Sequence, residues 1–210
     1  MATAFRRSRR FAAFLAASFA VFGIAASAAS AGPLVASATD CGAQNAEQPF
    51  LPWADPASYV LAPGGTIESG TAGWSVSGGA GAVSGNEPYY VHGAGESSAM
   101  RMPNAASATT GSMCVGIEHP TLRFFAKNGG SALSTLRVDV LFEDALGAVH
   151  SATIGVAAGG GNWQLTPQMP VIVNLLPLLP GDHTPVAFRF TSQGGSWTID
   201  DVYVDPWQKP

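Results

Sequence analysis

Short runs in which apolar and polar residues alternate recur along most of this chain and predict β-strands. In the clearest run, TLRVDVLF at 135–142, every second residue is apolar and these residues share one face. The turn EDALG then leads into 148–154, which predicts a β-hairpin. Similar alternation occurs in TLRFFAK at 121–127 and in VAFRF at 186–190. No segment carries a sustained apolar stripe of helical period, so we expect very little helix.

Further short strands are predicted throughout the chain, at 59–62, 66–68, 74–77, 89–91, 98–102, 113–116, 170–174 and 197–204. Ten or more short strands separated by turn residues indicate an all-β fold, a two-sheet antiparallel β-sandwich. The sandwich domain is predicted to span 50–210. Residues 32–49 are small and polar without periodicity, which predicts an extended N-terminal strap fixed only near Cys41.

The most apolar stretch of this domain is PVIVNLLPLLP at 170–180. It is too short to cross a bilayer, and Pro177 and Pro180 interrupt it. We interpret it as a buried strand that runs into an apolar loop. The alternative is an exposed contact site for a partner protein.

The N-terminal segment has the charge and hydropathy pattern of a secretory signal peptide, predicted to span 1–31. Four arginines precede Phe11, and no charged side chain occurs between Phe11 and Thr39. Small residues then allow cleavage after Ala31, which we favour, or after Ala28. Two alternatives are an uncleaved membrane anchor and, from SRRFAAF at 8–14, a twin-arginine export signal. The protein is thus predicted to be secreted or at the cell surface, with no membrane span after cleavage.

The charge of the mature chain argues against nucleic acid as a partner. The full chain has a formal net charge of −4, and cleavage would remove four of its ten basic residues and none of its fourteen acidic ones. The resulting charge of −8, without polybasic runs, cannot neutralise phosphates.

The two cysteines, Cys41 and Cys114, both follow the predicted cleavage site. Because thiols oxidise in exported proteins, we predict one disulfide between them. The alternative is two unpaired buried thiols. Two cysteines alone are too few for a structural zinc site.

Three segments together resemble the galactose-binding-like jelly-roll domains, a group that includes many carbohydrate-binding modules. They are GGTIESGTAGWSVSGG at 64–79, GNWQLTP at 161–167 and WTIDDVYVDPW at 197–207. Glu68, Gly70, Trp74 and the IDDV motif at 199–202 stand at the matching positions, whereas Ile67 replaces the usual aromatic residue. GNEPYYV at 85–91, with TLRFFAK and IDDVYVDP, also resembles uncharacterised exported proteins of high-GC Gram-positive bacteria.

This resemblance implies both core positions and a metal site. Trp74, Trp163 and Trp197 match positions that are core positions in the family. The glutamate of the opening motif and the aspartate of the closing motif often share a structural calcium ion, which implies Glu68 and Asp200 as ligands here. Asp201 is expected to face the other way unless a β-bulge exchanges the two aspartates.

Binding of a glycan is the function that these observations favour. Sugar rings stack on Trp or Tyr, and polar side chains bond the hydroxyl groups. The segment with Asn86, Tyr89, Tyr90 and His92 combines both kinds of group and is the candidate site. Trp53 and Trp207 lie beside prolines and are further candidates for exposure.

A catalytic role finds no support in the sequence. The histidines are scattered without metal-ligand spacing, and there is no G-x-S-x-G motif. The acidic pairs Glu143–Asp144 and Asp200–Asp201 are adjacent residues, which in a regular strand point to opposite faces and cannot flank one glycosidic bond. We therefore predict a non-catalytic domain that binds glycan or cell-wall polysaccharide. The alternative is a structural or adhesive surface protein that makes protein contacts without a sugar site.

Overall fold

The computed structural model of the protein describes residues 32–38, 44–116, 120–171 and 183–206. Over these residues the chain is almost entirely β-structure, with a five-residue helix α1 (Pro33–Ser37) and a 3₁₀ turn (Leu51–Trp53). The described strands are β1 (Val60–Leu61), β2 (Ser75–Ser77), β3 (Gly81–Ser84), β4 (Ser98–Met102), β5 (Ser107–Thr109), β6 (Met113–Gly116), β7 (Thr121–Asn128), β8 (Thr135–Glu143), β9 (Val149–Ala158), β10 (Gln164–Leu165), β11 (Met169–Pro170), β12 (His183–Gln193) and β13 (Trp197–Asp205).

These strands form two antiparallel sheets, which confirms the predicted β-sandwich. The first sheet has seven strands in the order β10-β7-β13-β4-β3, with β1 also paired to β13 and β11 also paired to β7. The second has six strands in the order β2-β5-β12-β8-β9, with β6 also paired to β12. The two long strands β13 and β12 therefore organise one sheet each.

The main core lies between the two sheets and is built from the alternating apolar residues of the long strands. Phe124 of β7 meets Phe190 of β12 edge to face, with ring centroids 5.0 Å apart. The indole rings of Trp74 and Trp197 are buried in the same core, as the resemblance implied. Each buried indole N–H is satisfied, because Trp197 donates to Ser134 Oγ at 2.6 Å and Trp74 donates to the Gly64 carbonyl at 3.0 Å.

Most of the predicted strands occur, and the 135–142 and 148–154 runs form the hairpin β8–β9. Two predicted strands are wrong, because 66–68 and 89–91 lie in turns. Ile67 and Tyr90 adopt φ values of 60° and 52°, a left-handed conformation that a regular strand does not contain. Ile67 is instead buried at a chain of tight turns, in which its amide bonds to the Gly64 carbonyl and its carbonyl accepts from Gly70.

The N-terminal strap differs from the prediction as well. Residues 33–37 are helical, and α1 packs against β8 and β12 of the six-stranded sheet. Farther along, Gln44 Nε2 donates to the Cys114 carbonyl at 2.9 Å, and Glu47 pairs with Tyr59 through two backbone hydrogen bonds. The described parts of the segment are therefore held at several points, whereas the prediction was a strap fixed only near Cys41.

Several sequence predictions fall outside the described residues, namely those on 1–31, Cys41, 172–182 and Trp207. Cys114 is buried in β6, and its disulfide with Cys41 stays a prediction. Within the parts of the chain that the structure describes, no helix is long and apolar enough to span a membrane.

Candidate functional site

A second aromatic cluster covers the outer face of the seven-stranded sheet. It forms because alternation along β7 turns Phe125 away from the main core, and Tyr203 of β13 lies on the same outer face. Phe50 packs edge to face on Tyr59 and on Tyr203, with ring centroids 4.9 and 5.5 Å apart. The chain from 44 to 59 is thereby fixed against this face of the sheet.

A buried carboxylate fastens that segment to the sheet. Asp55 accepts hydrogen bonds from Tyr59 Oη at 2.7 Å, from Arg123 Nη1 at 2.6 Å and from Gln168 Nε2 at 3.2 Å. Burial alone would raise the pKa of Asp55, but these bonds together with the Ala57 amide outweigh it and hold the pKa below its usual value. Asp55 is thus a charged anchor with every partner in place.

At the edge of the aromatic cluster, Trp53 and Tyr89 pack together, and Tyr90 follows in the same turn; we call these three residues the aromatic ledge. Tyr89 and Tyr90 are each 50% exposed, and Trp53 is partly buried. Trp53 meets Tyr89 edge to face at 5.1 Å and Phe125 at 5.3 Å. The ledge therefore presents aromatic surface to solvent from a rigidly packed base.

The predicted glycan residues lie together on the loop 85–97, but they do not all point to the ledge. The Asn86 amide nitrogen donates to the Glu87 carbonyl at 3.0 Å, while its Oδ1 is buried with no partner among the described residues. His92 Nδ1 lies 3.1 Å from Tyr203 Oη, which donates to Glu47 at 2.7 Å. His92 is thus tied to the sheet, whereas the two tyrosines remain available.

The acidic pair of the closing motif sits on a β-bulge in β13. The pairing of β13 with β7 shifts register between Asp200 and Tyr203, and Asp201 has a left-handed φ of 48°. As a result both aspartates lie against the loop 85–97, since Asp200 accepts from the Glu87 amide at 3.1 Å and Asp201 lies beside the Glu87 carboxylate. The arrangement of a regular strand, with the two on opposite faces, does not occur.

Three carboxylates converge at this bulge and form what we call the acidic cluster: Glu87, Glu96 and Asp201. One oxygen from each lies within 4.8 Å of the others. Both oxygens of Asp201 and Oε1 of Glu96 are buried without a hydrogen-bond partner among the described residues. Glu87 instead accepts from the amides of Tyr89 and Val91, which shapes the turn that carries the ledge.

The electrostatics of the acidic cluster are unfavourable for negative charge. Burial raises the pKa of Asp201 to about 8, and the charges of Asp200, Glu96 and Glu87 add to the rise. Burial likewise raises the pKa of Asp200 to about 8, against the lowering effect of the Glu87 and Asp201 amides. In the absence of a cation, a cluster of this kind holds a proton at neutral pH.

The structure gives Glu68 and Asp200, the pair implied by the family resemblance, other hydrogen-bond partners. Glu68 is exposed, and its Oε1 accepts from the Ser97 and Ser98 amides at 2.8 and 2.7 Å. Asp200 accepts from the Glu87 and Asp201 amides. The charge of Glu68 does reach the cluster, because it contributes to the raised pKa of Glu96, for which burial is the main cause. Calcium at Glu68 and Asp200 stays a prediction.

Sequence reasoning missed Glu87 and Glu96 as site residues. Both lie in GNEPYYVHGAGES at 85–97, on either side of the strand predicted at 89–91, in stretches that predict only loops. Two features of the sequence set these glutamates apart. The chain has few charged residues, and both glutamates lie on the connection that leads into the core strand β4. These features do not distinguish a ligand from a solvated loop residue.

In the remaining acidic pair, Glu143–Asp144, Asp144 has the hydrogen bonds of an ordinary turn residue. Asp144 accepts from the Leu146 and Ala148 amides and contacts His150 Nε2 at 2.8 Å. The bond from His150 lowers the pKa of Asp144. Glu143 is the last residue of β8 and is buried.

Comparison with known proteins identifies structures of similar fold but no sequence family. No sequence-family profile matches this chain, and no curated protein sequence matches it. The structure is similar to that of the CBM22-1 and GH10 modules of Clostridium thermocellum endo-1,4-β-D-xylanase 10B, a complex with xylohexaose. The TM-score is 0.51 at 15% identity, over 72% of this chain and 29% of that chain. The chain thus spans under a third of the length of that structure.

Two further solved structures are similar over much of the chain. One is the tandem CBM22-1–CBM22-2 domain of Paenibacillus barcinonensis Xyn10C, with a TM-score of 0.47 at 13% identity over 70% of this chain and 44% of that chain. The other is TmCBM61 in complex with β-1,4-galactotriose, with a TM-score of 0.40 at 20% identity over 67% of this chain and 94% of that chain.

The similarity to the xylanase structure, together with the two antiparallel sheets, confirms the jelly-roll sandwich fold that the sequence resemblance implied. Fold is all that identities at this level establish. The resemblance to exported proteins of high-GC Gram-positive bacteria stays a prediction.

Proposed function

We propose that this domain binds glycan through the aromatic ledge, acting at or outside the cell surface after removal of the predicted signal peptide. The observation that carries the proposal is a pair of half-exposed tyrosines in one turn, Tyr89 and Tyr90, of which Tyr89 packs on Trp53. Pyranose rings stack on such faces, and ordered aromatic side chains lose little conformational freedom on binding. The occurrence of this fold in carbohydrate-binding modules supports the proposal by analogy.

Neither alternative fits the outer face as well. A site for protein contacts calls for a broad apolar patch, whereas the ledge adjoins polar side chains of the loop 85–97 and the acidic cluster. A hydrolase needs two accessible carboxylates or an open metal position. In the described part of the chain, Glu87 and Asp201 do converge, but both are 0% exposed and unable to reach a glycosidic bond.

The test is a glycan array with the mature domain, followed by titration of any sugar that binds. Tyr90→Ala and Trp53→Ala are expected to weaken binding by about 5-fold or more each, since stacking of an aromatic ring contributes on the order of 1 kcal/mol or more. Tyr90→Phe keeps the ring and is the matched control, with affinity close to that of the wild type.

Tyr89 needs a stability measurement beside the binding assay, because its ring also packs on Trp53 and Phe125. Tyr89→Ala is expected to lose binding while the thermal unfolding midpoint falls by no more than a few degrees. Uniform absence of binding across polysaccharides and cell-wall preparations would instead favour the protein-contact alternative.

Calcium at the bulge of β13 is a second part of this proposal. Calcium accepts six to eight oxygen ligands in flexible geometry, which suits three carboxylates from two separate chain segments. The acidic cluster fits the ion because Asp201 offers two buried oxygens that nothing in the described chain satisfies. The residues proposed to hold the ion are therefore Glu87, Glu96 and Asp201, with Glu68 and Asp200 beside them.

Such an ion would hold the aromatic ledge in position without contacting the sugar. Glu87 belongs to the cluster, and the same carboxylate accepts the amides of Tyr89 and Val91. An ion at the cluster would neutralise the buried charge and fix this carboxylate, and through it the turn that presents the tyrosines.

A further inference from the structure

Glu143 is a buried carboxylate with only one of its two oxygens in use. The residue is 5% exposed at the end of β8. Its Oε1 accepts hydrogen bonds from the amides of Leu34 and Val35, at the start of α1. Its Oε2 is buried and has no partner within the described residues. A buried, charged oxygen without a partner is costly, so this atom indicates a missing cation or donor.

Gly32 lies directly against that unused oxygen. A Cβ atom placed on Gly32 would come within 2.7 Å of Glu143 Oε2 and within 2.5 Å of the Gly147 carbonyl oxygen. Only glycine therefore fits at this position without a shift of its neighbours. The Cα atom of Gly32 therefore lies within about 4.2 Å of Glu143 Oε2, since a Cα–Cβ bond adds about 1.5 Å, and the nitrogen of Gly32 is one bond of about 1.5 Å from that Cα.

We propose that the α-ammonium group of Gly32 is the missing partner, created when a signal peptidase hydrolyses the Ala31–Gly32 peptide bond. In this step water adds across the bond, the new carboxylate stays on Ala31 of the released leader, and the new amine of Gly32 takes up a proton. An α-amino group has a pKa near 8, so it is mostly charged at neutral pH. The mature chain would thus begin with a buried ion pair to Glu143.

This pair would fix α1 in place on the six-stranded sheet. The helix forms one wall of a cleft of about 840 Å³ over that sheet, lined among others by Leu34, Ser37, Thr109, Leu141 and Ala187. Its far end is held by a contact between the hydroxyls of Ser37 and Ser112 at 2.7 Å. Cleavage after Ala28 would move the ammonium group three residues away and leave Glu143 Oε2 unpaired. The site of processing would therefore determine how firmly the mature N-terminus docks.

The test compares two mature chains that differ by one residue, one beginning at Gly32 and one retaining Ala31. The chain that begins at Gly32 is expected to unfold about 2 to 4 °C higher, because only its ammonium group reaches Glu143. Glu143→Gln should abolish this difference. Asp144→Asn, which removes a neighbouring exposed charge, is the matched control and should preserve it.

Equal midpoints for the two chains, or a difference that persists in Glu143→Gln, would overturn the proposal. Should Glu143→Gln fail to fold, two other measurements decide. The α-amine of the chain that begins at Gly32 should react several-fold more slowly with an amine-specific reagent at neutral pH than that of the chain retaining Ala31. The exported protein should begin at Gly32 in N-terminal sequencing, and a start at Ala29 would contradict the ion pair.

Discussion

At the scale of single residues, two buried aspartates on one face of a sheet show opposite electrostatics. Asp55 is surrounded by donors from Tyr59, Arg123 and Gln168, and its pKa is lowered. Asp201 has no donor to either oxygen among the described residues, and burial raises its pKa to about 8. The charge of Asp55 is therefore balanced by its own hydrogen-bond partners, whereas the carboxylate of Asp201 needs a proton or a cation to balance its charge.

Asp55→Ala is predicted to lower the free energy of unfolding by about 3 kcal/mol, because it leaves the largely buried Arg123 guanidinium without its partner. Urea unfolding at pH 7 measures the loss. Since the folded pKa of Asp55 lies below 3.8, its contribution is present above pH 3.8 and disappears as the pH falls through the folded value. The loss measured for Asp55→Ala should therefore shrink in strong acid.

Asp144→Asn provides the control, because Asp144 also has a lowered pKa but lies at the surface. Its effect on the free energy of unfolding should be small beside that of Asp55→Ala, as for exposed pairs generally. An Asp55→Ala variant as stable as the wild type at pH 7 would show that the anchor contributes nothing.

Side-chain types allowed part of the site to be predicted from the sequence. Tyr89 and Tyr90 were predicted as exposed rings, and their exposure follows from a polar, proline-containing context. Glu87 and Glu96 were not predicted, because their roles depend on a bulge more than 100 residues away in β13. Convergence of that kind is a tertiary property that no local spacing encodes.

At the scale of elements, the alternation of apolar and polar residues predicted strands well where the backbone amides and carbonyls form hydrogen bonds with a neighbouring strand. It failed at 66–68 and 89–91, where other partners take over. At 89–91 the Glu87 carboxylate accepts the Tyr89 and Val91 amides, which a strand would have offered to a neighbour. At 66–68 the surrounding glycines permit a series of tight turns. The short strands β3 and β5 went unpredicted because glycine, alanine and serine dominate them.

Calcium is predicted to stabilise the junction between the loop 85–97 and β13. At a concentration 100-fold above its dissociation constant, a ligand of the folded state adds about 2.7 kcal/mol, which corresponds to a rise of about 5 to 10 °C in the unfolding midpoint. Thermal unfolding of the mature domain with calcium and with chelator measures this rise. Asp201→Asn should remove most of it.

Glu68→Gln serves as the matched variant, since Glu68 already bonds to the Ser97 and Ser98 amides. It should retain the calcium response. The reverse outcome, in which Glu68→Gln loses the response and Asp201→Asn keeps it, would assign the ion to Glu68 and Asp200. A midpoint that does not change with calcium would rule out a stabilising ion altogether.

At the scale of the whole molecule, the N-terminal segment touches both sheets of the sandwich. Its helix α1 packs on the six-stranded sheet, and the chain around Phe50 and Asp55 covers the seven-stranded sheet. The predicted Cys41–Cys114 disulfide would join the same segment to β6. The segment is therefore a structural part of the domain and not a linker.

Reduction of this disulfide is predicted to destabilise the exported protein by roughly 4 kcal/mol in the chain-entropy model. Intact mass with and without reductant establishes the bond, and thermal unfolding of the two forms measures its effect. Cys41→Ser should match the reduced protein. Two freely alkylatable thiols in non-reduced secreted material would refute the pairing.

The position of β13 has a consequence for how the chain folds. Among the strands that the structure describes, this one is the last to be synthesised, yet it pairs with β7, β4 and β1 in the middle of its sheet. Until residue 205 has been synthesised, the seven-stranded sheet lacks its central strand, β13, with which both β1 and β7 pair. The seven-stranded sheet can therefore close only after residue 205 has been synthesised, and such non-local closure is slow. A chain of this topology therefore acquires its aromatic ledge and its acidic cluster only after β13 has joined the sheet, because Asp201 of β13 belongs to the cluster and Tyr203 of β13 belongs to the base of the ledge.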